Sequence, residues 1–151
     1  RFGINNMIGL IQRVKTASIE VDHATVAQIN AGLSLFLGID KGDDLSSVEP
    51  MVKKVIGYRV FPDATGHMNL SLGESGGGLL IVSQFTLVAD TRRGLRPSFS
   101  SAASQENAKT IYDAFVDRAK TLHDQVETGI FAANMQVTLC NDGPVSFILR
   151  S

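Results

Sequence analysis

Cysteine is nearly absent from this 151-residue chain, which has only Cys140. A single thiol excludes an intramolecular disulfide, and this agrees with a reducing compartment. Long apolar runs are also missing: the longest, residues 33–37 and 79–82, are far shorter than the roughly 20 residues of a bilayer-spanning helix. No charged leader with an apolar core precedes the first predicted strand. We therefore expect a soluble, cytoplasmic protein with no membrane partner and one hydrophobic core.

An excess of one charge sign is missing too, since 14 lysines and arginines almost balance 15 aspartates and glutamates. The net charge of −1 excludes an overall basic surface of the kind that drives non-specific nucleic-acid binding, and no DNA partner is expected. Any contact with RNA must then be local. The one concentrated basic segment contains Arg92, Arg93 and Arg96. These arginines can meet phosphates as bidentate donors, although a solvated loop is the commoner explanation.

Clusters that bind metals or activate nucleophiles are also scarce. His23, His67 and His123 are far apart and no second cysteine exists, so neither a metal nor a cofactor is expected. His123 is expected at an exposed polar position at the end of a helix. No serine lies in a Gly-x-Ser-x-Gly elbow, which argues against a serine triad. Cys140 falls in an alternating strand and is interpreted as an inert, half-buried thiol.

The spacing of apolar residues predicts the secondary structure. Alternation predicts strands over residues 8–14, 17–21, 25–29, 33–39, 58–61, 67–72, 79–85, 135–139 and 145–149. Apolar residues three and four apart predict helices over residues 45–56 and 108–122, the second with Ser104 as its N-cap. The first four strands are expected to form a meander. The glycine-rich segment 73–78 leads into a strand, lacks the Lys-Ser/Thr of a phosphate loop, and is expected to be a flexible turn.

Many strands with only two good helices predict an α/β fold, in which helices cover one side of paired sheets. Residues 1–6 lack periodicity and are expected to be an extension or an expression remnant, with Met7 as the natural start. No composition change or linker divides the remainder, so residues 7–151 are expected to form a single domain.

Two segments place polar residues next to apolar strands. Ser83, Gln84 and Thr86 follow a strongly apolar strand, which is costly unless each finds a partner or the strand end opens onto a site. The alternative is an edge strand that leaves the core. Residues 141–144, Asn-Asp-Gly-Pro, have ordinary turn chemistry, and their spacing alone indicates only a turn.

The chain resembles the D-aminoacyl-tRNA deacylase family across residues 7–151. The resemblance is carried by segments that occur in the family's order: Met-Ile-Gly-Leu-Ile-Gln-Arg-Val at 7–14, Ser-Gln-Phe-Thr-Leu at 83–87, Arg-Pro-Ser-Phe-Ser at 96–100 and Asn-Asp-Gly-Pro-Val at 141–145. It implies a mixed three-layer arrangement of helices on two β-sheets and an active homodimer with a site shared across subunits. The implied reaction is hydrolysis of the ester bond of D-aminoacyl-tRNA, and glycine mischarged on alanine tRNA would pass as well.

The resemblance also assigns roles near the reacting ester. Ser83, Gln84, Phe85 and Thr86 correspond to the family's catalytic segment. We expect the backbone N–H groups of Phe85 and Thr86 to stabilise the developing oxyanion. Either the 2′-hydroxyl of the terminal adenosine or Thr86 itself would assist the attack, and the sequence leaves both open.

The family's chirality filter corresponds to Gly143 and Pro144. The resemblance implies a cis peptide between them that enters the partner's pocket and excludes an L side chain, with Arg13 bracing the motif. The alternative for Arg13 is an ordinary arginine on a strand surface.

The family's adenosine pocket corresponds to Phe131, Ala132, Ala133 and Met135, where an aromatic ring can stack on a base. The alternative for Phe131 is ordinary core packing. Two positions depart from the family pattern: Ser146 replaces the usual threonine, and Asn134 replaces the usual aspartate.

Two other functions remain open at this point. One is a non-catalytic RNA- or nucleotide-binding module that uses Arg92, Arg93 and Arg96, and the other is a general small esterase.

Overall fold

A computed structural model describes residues 6–151 of the chain, so most of the predicted extension at residues 1–6 lies outside the described residues. The strands are β1 Ile8–Val21, β2 Ala24–Ile29, β3 Gly32–Gly38, β4 Phe61–Pro62, β5 Met68–Leu70, β6 Gly78–Ser83, β7 Val126–Thr128 and β8 Gln136–Arg150. The helices are α1 Val48–Gly57, α2 Leu72–Ser75 and α3 Gln105–Leu122, and short 3-10 turns cover Leu45–Ser47 and Phe85–Val88. None of the helices described between residues 6 and 151 has the length and apolar character that crossing a bilayer requires.

β1 is the central strand of a six-stranded sheet. Its first half pairs antiparallel with β3 and its second half with β2, while β8 pairs along the other edge of both halves. The prediction of two separate strands over residues 8–14 and 17–21 is therefore wrong. The predicted meander is wrong as well, because β3 pairs with β1 and not with β2. β6 and β7 extend the sheet in parallel, which gives a mixed sheet.

Opposite faces of β6 belong to two different hydrophobic clusters. Leu79 and Ile81 join the main core, where they share a cluster with Phe115 of α3 and with residues of α1. Leu80 and Val82 join the second cluster with residues of β1 and β2. The sheet is therefore curled, so that β1 and β2 pack against the second face of β6. The result is a mixed α/β fold with a nearly closed sheet and few helices. Beyond it, β4 and β5 form only a small two-stranded sheet.

The helix predicted over residues 108–122 is confirmed and begins earlier, at Gln105, because the Ser104 hydroxyl accepts a hydrogen bond from the Asn107 amide at 3.2 Å. The helix predicted over residues 45–56 is a 3-10 turn followed by α1. The two helices are joined by a bidentate ion pair, in which Arg118 donates to both carboxylate oxygens of Glu49 at 2.6 and 2.9 Å.

Three local expectations are wrong. His123 is buried, and its Nε2 lies 2.7 Å from the Gly77 carbonyl oxygen, because the chain turns back after α3 to place β7 beside β6. The segment 73–78 is only partly a turn, since residues 72–75 form α2, which begins with a capping box between Ser71 and Glu74. Cys140 is exposed instead of half-buried, because it lies on the face of β8 opposite to Val137 and Leu139, which pack against the second hydrophobic cluster.

The strands predicted over residues 58–61, 67–72 and 79–85 are shorter in the structure. Only the two residues of β4 and the three of β5 remain from the first two. β6 ends at Ser83, and it lies between β3 and β7, so the edge-strand interpretation of residues 83–86 is wrong.

A close approach of two backbones generates a prediction about stability. A Cβ atom at Gly32 would lie 2.0 Å from the Gly78 carbonyl oxygen, so Gly32→Ala forces β3 and β6 apart. We expect Gly32→Ala to lower the free energy of unfolding in urea by at least about 1–3 kcal/mol. Gly57→Ala is the matched control, because a Cβ there meets nothing within 4 Å. It ends α1, and we expect it to change stability by less than about 1 kcal/mol. Equal effects of the two substitutions would contradict this account.

Candidate active site

A cavity of about 520 Å³ lies where β3 and β6 end beside the start of α3. It brings together two segments that are about 50 residues apart in the sequence, residues 83–86 and residues 131–135, as the resemblance implies. The residues that line the cavity are Leu37, Ile39, Ser83, Gln84, Phe85, Thr86, Ala103, Gln105, Ala108, Phe131, Ala132, Ala133 and Met135.

Residues 83–86 change from strand to turn at the cavity. The Gln84 amide donates to the Leu37 carbonyl at 2.8 Å, which is the last bond between the ends of β3 and β6, and a 3-10 turn begins at Phe85. The first N–H groups of a helical turn have no acceptor within it. The amides of Phe85 and Thr86 accordingly make no hydrogen bond with residues 6–151. The Gln84 side chain donates to the Thr86 hydroxyl at 3.0 Å.

The second segment is a tight loop between β7 and β8. The Ala133 amide donates to the Ile130 carbonyl at 3.1 Å, and Ala132 has a left-handed φ of 65°. Left-handed backbone costs roughly 1–2 kcal/mol for a residue with a Cβ. Phe131 is partly buried, and its ring centroid lies 5.6 Å from that of Tyr112. The Phe131 side chain therefore packs on the main core, and it also lines the cavity.

Tyr112 supports Phe131 from the core. Its hydroxyl donates to the Ile81 carbonyl at 3.2 Å, and burial raises the pKa of Tyr112 to about 12. Tyr112 therefore stays protonated at neutral pH, and its ring offers a neutral surface against which Phe131 is held.

Ionisable side chains are absent from the described lining of the cavity, which consists of apolar residues, one serine, one threonine and two glutamines. Residues 6–151 also contain no group of three or more His, Cys, Asp or Glu that could hold a metal ion. The polar groups that face the cavity are thus neutral side chains and backbone amides. Sequence reasoning missed Gln105, whose only signal was its place immediately after the N-cap of α3.

The Gly143–Pro144 turn interrupts the pairing of β8 with β1. Gln12 pairs with Ser146, but Val14 pairs with Asn141, so residues 142–145 have no partners in the ladder and project from it. The Gly143–Pro144 peptide bond is cis. Neither residue lines the cavity of its own chain.

Arg13 and Asn141 hold this projecting turn. Arg13 Nε donates to the Asp142 carbonyl at 3.1 Å, and Nη1 donates to the Val60 carbonyl at 2.7 Å. The Arg13 side chain is only 14% exposed, so the surface-arginine interpretation is wrong. Asn141 accepts from the Val145 amide at 2.9 Å and donates to the Ser146 hydroxyl at 2.9 Å.

Glycine is required in the turn for steric reasons. Gly143 has a φ of 138°, and a Cβ there would lie 2.6 Å from Val145 Cγ2. Sequence reasoning assigned a bracing role to Arg13 through the family resemblance, but it placed Asn141 in the turn without giving it a role. Of the two departures from the family pattern, Ser146 uses its hydroxyl in the turn and Asn134 is exposed.

The three arginines of the basic segment do not line the cavity. They lie in a loop closed by two backbone hydrogen bonds between Asp90 and Ser98, at 2.8 and 2.9 Å. Arg92 donates to both carboxylate oxygens of Asp90 at 2.9 Å, and this hydrogen bonding lowers the pKa of Asp90 to about 2. Arg93 and Arg96 are exposed and form no ion pair with residues 6–151.

The chain is similar to known deacylases over almost its whole length. The model of the family described as D-Tyr-tRNA(Tyr) deacylase matches residues 10–150. The chain is 55% identical to a D-aminoacyl-tRNA deacylase of Shewanella woodyi over 144 residues, which cover 95% of this chain and 99% of the relative. It is 56% identical to the protein of the same name from Haemophilus ducreyi, with the same coverage of both chains.

Two solved structures have the same fold. A c-Myc DNA unwinding element binding protein superposes with a TM-score of 0.92 at 34% identity, covering 95% of this chain and 98% of that one. The structure of a probable eukaryotic D-amino acid tRNA deacylase superposes with a TM-score of 0.83 at 14% identity, covering 97% of this chain and 100% of that one. Since the family model matches nearly the whole chain and curated relatives share more than half of its residues, the chain belongs to the D-Tyr-tRNA(Tyr) deacylase family.

Proposed function

We propose that this chain hydrolyses the ester bond of D-aminoacyl-tRNA and releases the free D-amino acid and tRNA. The observation that carries the proposal is one cavity, in a member of a deacylase family, lined both by the loop that bears Phe131 and by residues 85 and 86, whose amides have no partner among the described residues. Neither the non-catalytic binding module nor the general esterase is supported by the comparisons.

The reaction needs few protein groups because an aminoacyl ester is already activated. Water adds to the carbonyl carbon, the carbonyl oxygen becomes an oxyanion, and the ribose oxygen then leaves and takes up a proton. Amides of Phe85 and Thr86 would donate hydrogen bonds to the oxyanion, where preorganised donors lower the barrier most. Phe131 would stack on the terminal adenine and position the ester, with Ala132, Ala133 and Met135 forming the rest of that subsite.

The proton transfers are assigned to the substrate. A threonine nucleophile needs an adjacent base, and no ionisable side chain is found in the described lining of the cavity. The Thr86 hydroxyl instead accepts a hydrogen bond from Gln84, which orients it without increasing its basicity. We therefore favour the 2′-hydroxyl of the terminal adenosine over Thr86 as the group that assists the attack.

Chirality would be sorted by a second copy of the chain. The Gly143–Pro144 turn projects from the sheet and is held by Arg13 and Asn141, yet it does not reach the cavity of its own chain. In a homodimer, the turn of one subunit would enter the cavity of the other and occupy the space of an L side chain. A rigid wall discriminates by exclusion and adds no affinity for the D substrate.

The remaining features of the proposal concern setting and architecture. Charged tRNA is the partner, no DNA partner and no cofactor are proposed, and the cytoplasm is the proposed compartment. Exposed Arg93 and Arg96 are the basic residues proposed to contact tRNA phosphates, while Arg92 is already neutralised by Asp90.

The finer description of the fold, helices on two sheet layers, is supported by the two separate hydrophobic clusters on either face of β6.

The defining experiment compares mirror-image substrates. We expect the purified protein to release D-tyrosine from D-tyrosyl-tRNA at least about 100-fold faster than L-tyrosine from L-tyrosyl-tRNA, because an excluded side chain prevents productive binding. Glycine on alanine tRNA should be released as well. Rates are measured by loss of labelled amino acid from the tRNA. Binding without turnover would favour the binding module, and equal cleavage of both enantiomers would favour the esterase.

A second experiment separates the two sources of proton transfer. We expect D-tyrosyl-tRNA ending in 2′-deoxyadenosine to be cleaved about 100-fold or more slowly, since general acid–base assistance contributes about 10²–10⁴. Thr86→Val keeps the size of the side chain and removes its hydroxyl, and we expect a loss below about tenfold. Single-turnover rates on both substrates provide the measurement. A large loss for Thr86→Val with no effect of the 2′-deoxy substitution would make Thr86 the nucleophile.

A third experiment tests the support of the projecting turn. Arg13→Lys keeps the charge but cannot donate along both directions that the guanidinium serves, toward Asp142 and Val60. We expect the ratio of D to L cleavage to fall about tenfold or more, which corresponds to about 1.4 kcal/mol of lost discrimination. Lys15→Arg, on an exposed position of the same strand, is the control. Unchanged selectivity in a folded Arg13→Lys protein would refute the bracing role.

A further inference from the structure

Two phenylalanine rings are exposed side by side where the cavity opens. Phe85 is 60% exposed and Phe99 is 41% exposed, and their ring centroids are 5.1 Å apart with an angle of 53° between the planes. Phe85 also lines the cavity, so Phe99 is joined to the cavity wall through its contact with Phe85. Adjacent exposed aromatic rings form a contiguous apolar surface, a feature that often marks a binding site.

The position of Phe99 is fixed by the backbone around it and not by the core. Ser98 exchanges two backbone hydrogen bonds with Asp90, and the Phe99 carbonyl accepts from the Ala102 amide at 3.0 Å. The Ser101 hydroxyl donates to the Val88 carbonyl at 3.0 Å, which ties this segment to the 3-10 turn that begins at Phe85. Both rings are therefore held on one connected piece of structure.

Positive charge lies in the same segment. The loop closed by Asp90 and Ser98 carries Arg93 and Arg96, and its closing residue Ser98 directly precedes Phe99. Neither arginine has an ion-pair partner among the described residues, whereas Arg92 is occupied by Asp90. Exposed aromatic rings beside free arginines are the combination that binds single-stranded nucleic acids, because the rings stack on bases and the guanidinium groups meet the phosphates.

We propose that Phe85 and Phe99 form a stacking platform for the unpaired nucleotides that precede the terminal adenosine of tRNA, with Arg93 and Arg96 beside their phosphates. The inference rests on the proposed function, which puts the terminal adenosine inside the cavity. A strand that leaves the cavity past Phe85 meets Phe99 next. Phe99 is then a positioning residue for the tRNA end and has no contact with the reacting ester.

The test compares a long and a short substrate. On D-tyrosyl-tRNA, we expect Phe99→Ala to raise KM about 5-fold to 100-fold, the range that corresponds to stacking of one base. On 3′-O-(D-tyrosyl)adenosine, which lacks the preceding nucleotides, we expect KM and kcat to stay within about twofold of the wild type. Phe99→Tyr keeps an aromatic face and should restore the wild-type KM. Leu95→Ala, on a fully exposed side chain of the neighbouring loop, is the matched control and should leave both substrates unaffected.

Two results would overturn the proposal: an equal loss on both substrates, which indicates a role in the cavity itself, and an unchanged KM on D-tyrosyl-tRNA. A change of sedimentation mass in Phe99→Ala would also overturn it, because the ring would then be packing against a second copy of the chain.

A direct binding measurement keeps the test independent of the proposed function. Fluorescence anisotropy with a labelled oligoribonucleotide ending in CCA should show the same 5-fold to 100-fold loss of affinity for Phe99→Ala. If the wild-type protein cleaves neither ester, the proposed function fails, and the oligonucleotide still tests the platform. Equal binding by the wild type and Phe99→Ala would refute the platform alone.

Discussion

The pairing of β1 with three other strands is the constraint on which the site depends. One edge of β1 is shared between β3 and β2, and β8 must follow the whole of the other edge. Opposite the single residue Arg13, β8 carries four residues that the ladder does not pair, so residues 142–145 leave the sheet there. The same β3 that pairs with β1 also pairs with β6, and the ends of these two strands form one wall of the cavity. Turn and cavity are thus set by one hydrogen-bonded framework.

The cavity contrasts with active sites that depend on a tuned acid or base. Its described lining has no ionisable side chain, and the donors that remain unpaired belong to the backbone of a 3-10 turn. Such donors are aligned by the fold before a substrate arrives, and they need no change of protonation state to act. The neutral lining also explains why no pattern of histidines, cysteines or acids indicated the chemistry.

Local patterns in the sequence predicted what local physics determines. The apolar spacing of α3 and its Ser104 cap are confirmed, and the polar residues 83–86 do open onto a cavity. β1 could not be recognised as one strand, because Lys15 and Thr16 are both exposed and break the alternation. The burial of His123 and the projection of residues 142–145 depend on pairing between segments distant in sequence, which no local pattern contains. The family resemblance supplied the roles proposed for Arg13 and Phe131, which spacing left undecided.

The neutral lining of the cavity has a consequence for inhibition. A molecule that competes for this space gains no ion pair from a charged group, since the described walls carry no ionisable side chain. In the proposed site, it would need a flat aromatic part for Phe131 and a hydrogen-bond acceptor placed before the amides of Phe85 and Thr86. An uncharged aromatic compound with a carbonyl or sulfonyl group has both parts. Its affinity would vary little with pH, because neither the compound nor the cavity lining titrates near neutrality.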